Sequence, residues 1–244
     1  MIFAKTPYGL EIQTPQGPLP IRHIIGIGRN YAEHAKEQGA ALPTRPMTFT
    51  KNPAAAILNG DDIVIPKIAQ DKASGGDQTD FEAELAVIIG PGPRGTFCRD
   101  IPEADASKYI AGYTAANDVS ARWWQKEGSG GQFNRGKSFD TFCPLGPRIV
   151  PVGDIPDPQN LRVTCRVNGT VMQEGNTRDM IFPVARLISD LSRGTTLLPG
   201  TVILTGTPSG VGMARTPPVW LKPGDTVEVE VERIGVLKNR VRAE

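Results

Sequence analysis

Three carboxylates are the residues of this sequence whose types and spacing most directly suggest chemistry. Glu82 and Glu84 lie two apart in a strand-like run, so the alternation of a strand places both on one face. On the pair alone, a solvated strand face is the favoured interpretation, because carboxylates are mostly exposed. Asp118 adds a third carboxylate at the end of the apolar run 109–116. Three carboxylates without His or Cys ligands suit Mg²⁺ or Mn²⁺, with Ca²⁺ as a further option, rather than zinc.

Two histidines are available as acids or bases. His34 lies three residues before Glu37 in a segment typical of a short helix, so the two side chains share a face. A carboxylate that binds an imidazole fixes its tautomer and raises its basicity, as a general base requires. An incidental pair on a helix surface is the alternative. His23 lies among apolar strand residues and is predicted to be structural.

Three further polar residues could complete a pocket around these groups. Lys137 could supply a fixed positive charge for an enolate or a carboxylate, or it could be an ordinary surface lysine. Arg122 and Gln125 follow the third carboxylate at helical spacing and could face the same pocket. The Gly-rich turn 206–212 could hold an anion through its backbone N–H groups, or it could be only a turn.

Residues 131–138 match the phosphate-binding pattern GxxxxGK[ST] letter for letter. That site needs a buried strand leading into the loop and a helix that directs its N-terminus at phosphate. Here the lead-in 126–130 is polar and Gly-rich, and a helix that began at Ser138 would meet Pro144 in its second turn. The context therefore argues against an ATP-binding protein, although the letters fit.

The composition excludes several other classes of protein. Lys and Arg number 27 against 26 Asp and Glu, so the net charge of +1 argues against a nucleic-acid-binding surface built on overall charge. The 27 Gly and 22 Pro favour short strands and loops over a helix bundle. No signal peptide is visible, and the apolar runs are too short for a membrane span. The three cysteines are far apart, so we expect free thiols, no disulfide framework and a cytoplasmic location. They are Cys98, Cys143 and Cys165.

The elements that must position the candidate residues are short and mostly extended. Strands are predicted over residues 2–5, 10–13, 21–28, 63–65, 82–89, 109–118, 161–167, 171–173, 202–205, 226–232 and 236–241. Helices are predicted over 30–38 with Asn30 as N-cap, 120–126, and 180–192 with Thr177 as cap. Asn168-Gly169 predicts a tight hairpin, and the polar stretch 70–79 predicts a mobile loop. The pattern indicates a β-rich α+β fold.

Several segments, in this order, resemble the fumarylacetoacetate hydrolase family. They are residues 26–34, 80–85, 117–122, 135–140, 144–147, 167–169, 180–182, 204–212 and 224–225. The resemblance covers nearly the whole chain and implies a mixed β-roll of that family's C-terminal-domain type with a few short helices. It also implies a short N-terminal β extension over 1–20 and a single catalytic domain over 21–244, with a lid region at about 30–80.

The resemblance also implies roles for individual residues. The family's three metal-binding carboxylates fall on Glu82, Glu84 and Asp118. Its lid dyad falls on His34 and Glu37, and its active-site lysine falls on Lys137. Positions that line its substrate site fall on Arg122, Gln125 and Thr207. A homodimer is the usual assembly, and no nucleic acid or membrane partner is implied.

The family's substrates are 2-oxo acids or β-diketo acids. The resemblance therefore predicts a metal-dependent hydrolase that cleaves a C–C bond in an acylpyruvate such as fumarylpyruvate or acetylpyruvate. His34, oriented by Glu37, would activate water, and the enolate product would be held by the metal and Lys137. The same site could instead decarboxylate an acid such as oxaloacetate, or isomerise an unsaturated 2-oxo diacid in aromatic catabolism.

Overall fold

A computed structural model describes residues 1–37, 39–72 and 76–244 of the chain. In chain order its strands are β1 (Ile2–Thr6), β2 (Gly9–Thr14), β3 (Gly17–Pro20), β4 (Ile24–Gly28), β5 (Met47–Lys51), β6 (Ala56–Leu58), β7 (Asp62–Ile65), β8 (Thr79–Asp80), β9 (Ala83–Ile89), β10 (Ile110–Asn117), β11 (Ser120–Ala121), β12 (Cys143–Pro151), β13 (Arg162–Val167), β14 (Thr170–Asn176), β15 (Val202–Leu204), β16 (Thr226–Val231) and β17 (Gly235–Ala243). The α-helices are α1 (Ala32–Glu37), α2 (Arg122–Gln125), α3 (Phe133–Lys137) and α4 (Val184–Ser192).

A seven-stranded mixed sheet forms the centre of the fold, in the strand order β5-β4-β15-β9-β10-β12-β6. Strand β9 lies at its middle and is antiparallel to both β15 and β10. All seven residues of β9 are buried, because both faces of the sheet are covered. This explains why β9 contains an almost continuous apolar run, which Glu84 interrupts near its beginning.

Different layers cover the two faces of the seven-stranded sheet. A five-stranded sheet of order β14-β13-β16-β17-β7 covers one face, and the larger core there includes Val87 of β9, Val163 of β13 and Leu187 of α4. The small sheet β1-β2-β3 covers the other face, where Ile88 packs in a second core with Ile12 of β2. Complete burial of a side chain such as Ile12 contributes roughly 1.5–3 kcal/mol. The division of the chain near residue 20 stays a prediction.

The β-rich α+β fold expected from the sequence is confirmed, and the predicted strands of the core match strands in the structure within a few residues. The hairpin between β13 and β14 also lies where it was predicted. Asn168 and Gly169 form its turn with φ values of 51° and 80°, as a two-residue turn of this handedness requires. No helix within the described ranges is long and apolar enough to cross a membrane. The three cysteines are buried and carry free thiols.

The two predicted helix caps are wrong. Helix α1 begins at Ala32 rather than at 30, and Gln38, predicted as its last residue, lies outside the described residues. The Asn30 side chain does not cap α1, because it donates instead to the carbonyl oxygens of Phe182 and Thr205, at 3.0 and 2.8 Å. Asn30 thus joins three distant segments of the chain.

The helix predicted over 180–192 begins only at Val184. Pro183 precedes it, and a proline is tolerated at the start of a helix but not in its interior, so the helix cannot extend further back. Thr177 therefore lies outside it, and its hydroxyl accepts a hydrogen bond from the backbone N–H of Leu161 at 2.9 Å. Of the predicted loop 70–79, residues 73–75 lie outside the described residues.

The sequence patterns missed two strands that matter for the site. Strand β5 forms an edge of the large sheet and pairs with β4. Strand β12 contains three prolines, which argue against a central strand. Among the described residues its ladder to β6 spans only 143–145, so one edge of β12 is unpaired at Pro147 and Pro151, where the lack of an N–H is tolerated.

Candidate active site

The three predicted carboxylates lie together at one end of the central sheet. Glu82 immediately precedes β9, Glu84 is its second residue, and Asp118 follows β10. Because these strands are antiparallel, the beginning of β9 and the end of β10 are adjacent. One oxygen from each carboxylate lies within 4.8 Å of the others, and all three residues are buried. The solvated strand face that the Glu82–Glu84 pair favoured on its own is therefore wrong.

Two buried lysines contact this carboxylate group. The Lys137 ammonium donates to Glu82 Oε2 at 2.7 Å and to Asp118 Oδ2 at 2.6 Å. The Lys51 ammonium donates to Asp118 Oδ1 at 2.5 Å. Sequence reasoning missed Lys51, because a lysine at the end of an unrecognised edge strand has no pattern that separates it from a surface lysine.

Arg122 completes the buried cluster of charges. Its guanidinium pairs with Asp80 Oδ2 at 2.8 Å and with Glu82 Oε1 at 2.7 Å, and it donates to Gln125 Oε1 at 3.0 Å. Arg122 and Gln125, whose helical spacing suggested that they could face the same pocket, are thus joined by a hydrogen bond. Sequence reasoning also missed Asp80, although it stands two residues before Glu82 and lies on the neighbouring strand β8.

The Gly-rich turn 206–212 does hold anions, and they are carboxylates of this chain. The N–H of Gly206 donates to Glu84 Oε2 at 2.6 Å. The N–H of Gly210 donates to Glu37 at 2.8 Å, and that of Gly212 donates to Asp80 at 2.7 Å. One turn thus connects a triad carboxylate, the helix α1 and the partner of the buried arginine.

The charges of the buried cluster do not balance. Four carboxylates, from Asp80, Glu82, Glu84 and Asp118, lie among three cations, from Lys51, Arg122 and Lys137. Glu84 is the carboxylate that pairs with none of these cations. Burial, followed by the charges of Asp118 and Glu82, raises the pKa of Glu84 well above its ordinary value. Burial would also raise the pKa of Glu82, but Lys137 and Arg122 hold it below the ordinary value. Burial opposes the charge on Lys137, yet Asp118 and Glu82 raise its pKa, so it remains an ammonium.

The donor set fits a hard divalent cation. Three carboxylates converge without a sulfur or imidazole ligand, which is the chemistry that Mg²⁺ and Mn²⁺ prefer. Among the described residues Glu84 is the member of the triad without an ion pair, and burial, together with the charges of Asp118 and Glu82, raises its pKa. A divalent cation held by Glu82, Glu84 and Asp118 would supply positive charge there.

Helix α1 brings the predicted dyad over this cluster. His34 Nδ1 lies 2.7 Å from Glu37 Oε1, and the imidazole is buried with only 4% of its side chain exposed. The surface alternative for this pair is therefore wrong. The second oxygen of Glu37 accepts the hydrogen bond from Gly210, so this carboxylate fixes the imidazole and anchors α1 at the same time.

A small pocket joins the dyad to the charge cluster. Its volume is about 20 Å³, and among the residues that line it are His34, Glu82, Arg122, Gln125, Lys137 and Thr207. Thr207 donates its hydroxyl hydrogen to the carbonyl of Ala83 at 2.9 Å and accepts from Gln173 at 2.7 Å. Its placement at the wall is therefore fixed by the backbone of β9. The roles of these residues toward a substrate stay predictions.

The phosphate-loop letters at 131–138 lead to a different structure. Helix α3 ends at Lys137, whereas a phosphate-binding loop needs a helix that begins there and directs its N-terminus at the phosphate. The lysine of the pattern points to Glu82 and Asp118. The Gly136 backbone packs against Gln125 and Ala121, where a Cβ atom would come within 2.6 Å of backbone atoms. The second glycine is thus needed for helix packing.

Comparison with known proteins gives consistent matches over most of the chain. The family described as "Fumarylacetoacetate (FAA) hydrolase C-terminal" matches residues 23–242. The bovine (Bos taurus) protein named oxaloacetate tautomerase FAHD2A, mitochondrial, is 46% identical over 218 residues, which is 89% of this chain. This chain spans 66% of that relative's length, slightly less than two thirds.

Solved structures show the same architecture. The fumarylacetoacetate hydrolase from Exiguobacterium antarcticum is 43% identical with a TM-score of 0.80, and the match covers 92% of this chain and 76% of that one. The 5-carboxymethyl-2-hydroxymuconate delta-isomerase from Mycobacterium smegmatis is 39% identical with a TM-score of 0.77, and the match covers 93% of this chain and 79% of that one. The matched relatives therefore carry the names of a tautomerase, a hydrolase and an isomerase.

Proposed function

The chain belongs to the fumarylacetoacetate hydrolase family, and from that premise we propose that it catalyses a metal-dependent proton transfer in a 2-oxo diacid. The reaction is the interconversion of the keto and enol forms of an acid such as oxaloacetate, or the related isomerisation of an unsaturated 2-oxo diacid. Two of the named relatives, a tautomerase and an isomerase, support this choice over the hydrolase predicted from the sequence.

The observation that carries the proposal is that His34, paired with Glu37, lines the same small pocket as Glu82 of the carboxylate triad. Enolisation needs one base next to a carbon and one electrophile next to the neighbouring oxo group. The dyad is the base, and Glu82, Glu84 and Asp118 would hold the divalent cation that supplies the electrophile. A divalent cation bound there would polarise the oxo oxygen of the substrate.

The proton transfer can be followed atom by atom on the protein side. When the Nδ1–H of His34 is donated to Glu37, Nε2 carries the lone pair that accepts a proton from the carbon beside the oxo group. The electron pair of that C–H bond becomes the C=C bond, and the oxo oxygen gains the negative charge. Return of a proton to this oxygen gives the enol, and return to the carbon gives the keto acid. The Lys137 ammonium stays protonated within the pocket wall and favours the negative charge.

Hydrolytic cleavage of a β-diketo acid is the second candidate. The same dyad could activate water, and one structural relative bears the name fumarylacetoacetate hydrolase. This reaction requires water and substrate together in the pocket, whereas enolisation requires the substrate alone. Decarboxylation of oxaloacetate would use the same site and produce pyruvate.

Deuterium exchange distinguishes these reactions in one experiment. Oxaloacetate in D₂O is incubated with the protein and Mg²⁺, and loss of the C3 proton signal is followed by NMR beside pyruvate formation. We expect Mg²⁺-dependent exchange at C3, abolished by EDTA, that is faster than pyruvate formation. Acetate release from acetylpyruvate without exchange in oxaloacetate would support the hydrolase and refute the proposal. The identity of the metal, the homodimer and the cytoplasmic location stay predictions.

A further inference from the structure

Arg29 lines the same pocket as His34 and Lys137, and sequence reasoning assigned it no role. It follows β4 directly, in the corner between that strand and α1. Its Nε atom is shielded from solvent and has no hydrogen-bond partner in the described part of the chain. A donor placed in this way indicates a ligand, because unpaired polar atoms in a protein interior are unfavourable.

The backbone at Arg29 is held in a conformation that favours glycine. Its φ is 55°, in the left-handed region, which costs on the order of 1 kcal/mol for a residue with a side chain. The next residue fixes this corner, because the Asn30 side chain bonds both Thr205 and Phe182. The backbone carbonyl of Asn30 also accepts a hydrogen bond from the N–H of Ile181 at 2.7 Å. The fold therefore directs the arginine side chain into the pocket in spite of the strain.

Arg29 differs from the other cations of the pocket wall because it has no carboxylate partner among the described residues. Arg122 is paired with Asp80 and Glu82, and Lys137 is paired as well. Among the described residues Arg29 forms no ion pair, so it is the cation of the pocket wall that has no carboxylate of its own. Its planar fork matches the two oxygens of a carboxylate.

We propose that Arg29 binds the second carboxylate of a dicarboxylic 2-oxo acid and so makes the site selective for diacids over monoacids. This inference rests on the proposed function, which places the 2-oxo end of the substrate at the triad. The pocket wall also contains the apolar side chains of Met47 and Phe49, which offer no partner to a carboxylate. A monoacid would leave the guanidinium unpaired.

The test compares ligands that differ only in the second carboxylate. Dissociation constants of 2-oxoglutarate and 2-oxopentanoate are measured by titration calorimetry on the Mg²⁺-loaded protein. Arg29→Gly removes the guanidinium and suits the left-handed backbone. Arg94→Gly is the matched control, because Arg94 has the same φ of 55° but is exposed and is not among the residues that line the pocket.

We expect Arg29→Gly to raise the dissociation constant of 2-oxoglutarate by about 10- to 100-fold, which is the range of a charge-assisted hydrogen-bonded pair. The dissociation constant of 2-oxopentanoate should change little. Arg94→Gly should change neither ligand. An equal loss of affinity for both ligands, or an unchanged affinity for 2-oxoglutarate, would overturn the role of Arg29. If Arg29→Gly does not fold, Arg29→Gln carries the same expectation.

The proposed function can fail separately from this inference. If the wild-type protein does not exchange C3 of oxaloacetate, but Arg29→Gly still loses the preference for the diacid, the proton-transfer function is wrong and the role of Arg29 stands. If exchange occurs and the preference is unchanged in Arg29→Gly, the function stands and the role of Arg29 is wrong.

Discussion

Replacement of Lys137 by methionine tests whether the buried carboxylates form a cation site. The Lys137 ammonium makes two short contacts, to Glu82 and to Asp118, and its side chain is 1% exposed. Each charge-assisted hydrogen bond contributes about 1.5–3 kcal/mol, and breaking a buried ion pair by removing one partner costs about 3–5 kcal/mol. We therefore expect Lys137→Met to lower the unfolding free energy of the metal-free protein by about 3–5 kcal/mol.

The same substitution should strengthen metal binding, because it leaves more uncompensated negative charge around the triad. In EDTA the midpoint of thermal unfolding should fall by roughly 6–20 °C for a domain of this size. Saturating Mg²⁺ should then raise the midpoint more in Lys137→Met than in the wild type. Turnover should be lost in both conditions if Lys137 acts on the substrate.

The assay is thermal unfolding followed by circular dichroism, with and without Mg²⁺. Lys108→Met serves as the control, because Lys108 also pairs with a carboxylate, Asp105 at 2.6 Å, but on the surface. It should show no measurable change in either condition. If Mg²⁺ stabilised Lys137→Met less than the wild type, the assignment of the triad as the cation site would be refuted.

Three other predictions concern the candidate base His34, the protons released when Mg²⁺ binds, and the hydrogen bonds that Asn30 makes beside the site. His34→Ala should lower turnover by about 10²- to 10⁴-fold with Mg²⁺ affinity unchanged, as measured by deuterium exchange and calorimetry; wild-type turnover in this variant would contradict its role. Mg²⁺ binding should release protons and weaken as the pH falls, because the raised pKa of Glu84 makes the cation compete with a proton. Calorimetry in buffers of different ionisation enthalpy measures the proton release, and identical apparent enthalpies in all buffers would contradict the prediction. Asn30→Ala should lower the unfolding free energy by about 2–4 kcal/mol in urea titrations, since it leaves the buried N–H of Phe182 and two carbonyls without their partner; a loss below about 1 kcal/mol would contradict this account.

Local patterns were sufficient for much of the fold. Patterns that depend only on neighbouring residues predicted many of the strands and one hairpin. The apolar run ending at Ile89 is strand β9, and Asn168-Gly169 is the turn between β13 and β14. Strand β12 could not be predicted, because Pro147 and Pro151 are acceptable only where one edge is unpaired, and pairing is a long-range property. The caps failed for the same reason, since Asn30 bonds segments more than 150 residues away.

The candidate site was predictable where the side chains are close in sequence or match a known family. The triad and the dyad belong to this group. Lys51, Asp80 and Arg29 were not predictable, because nothing in their neighbourhood separates a buried charged residue from an exposed one. Their importance follows from their contacts in the folded chain. Lys51 pairs with Asp118, and Asp80 pairs with Arg122, whereas the Nε atom of Arg29 has no hydrogen-bond partner among the described residues.

Glu37 attaches the candidate base to the Gly-rich turn 206–212. One of its oxygens pairs with the imidazole of His34, and the other accepts a hydrogen bond from the N–H of Gly210. The same turn also donates to Glu84 of the triad through the N–H of Gly206. The carboxylate that orients the base and one carboxylate of the triad are therefore bonded to one short segment of backbone, so a displacement of that segment would disturb both halves of the site together.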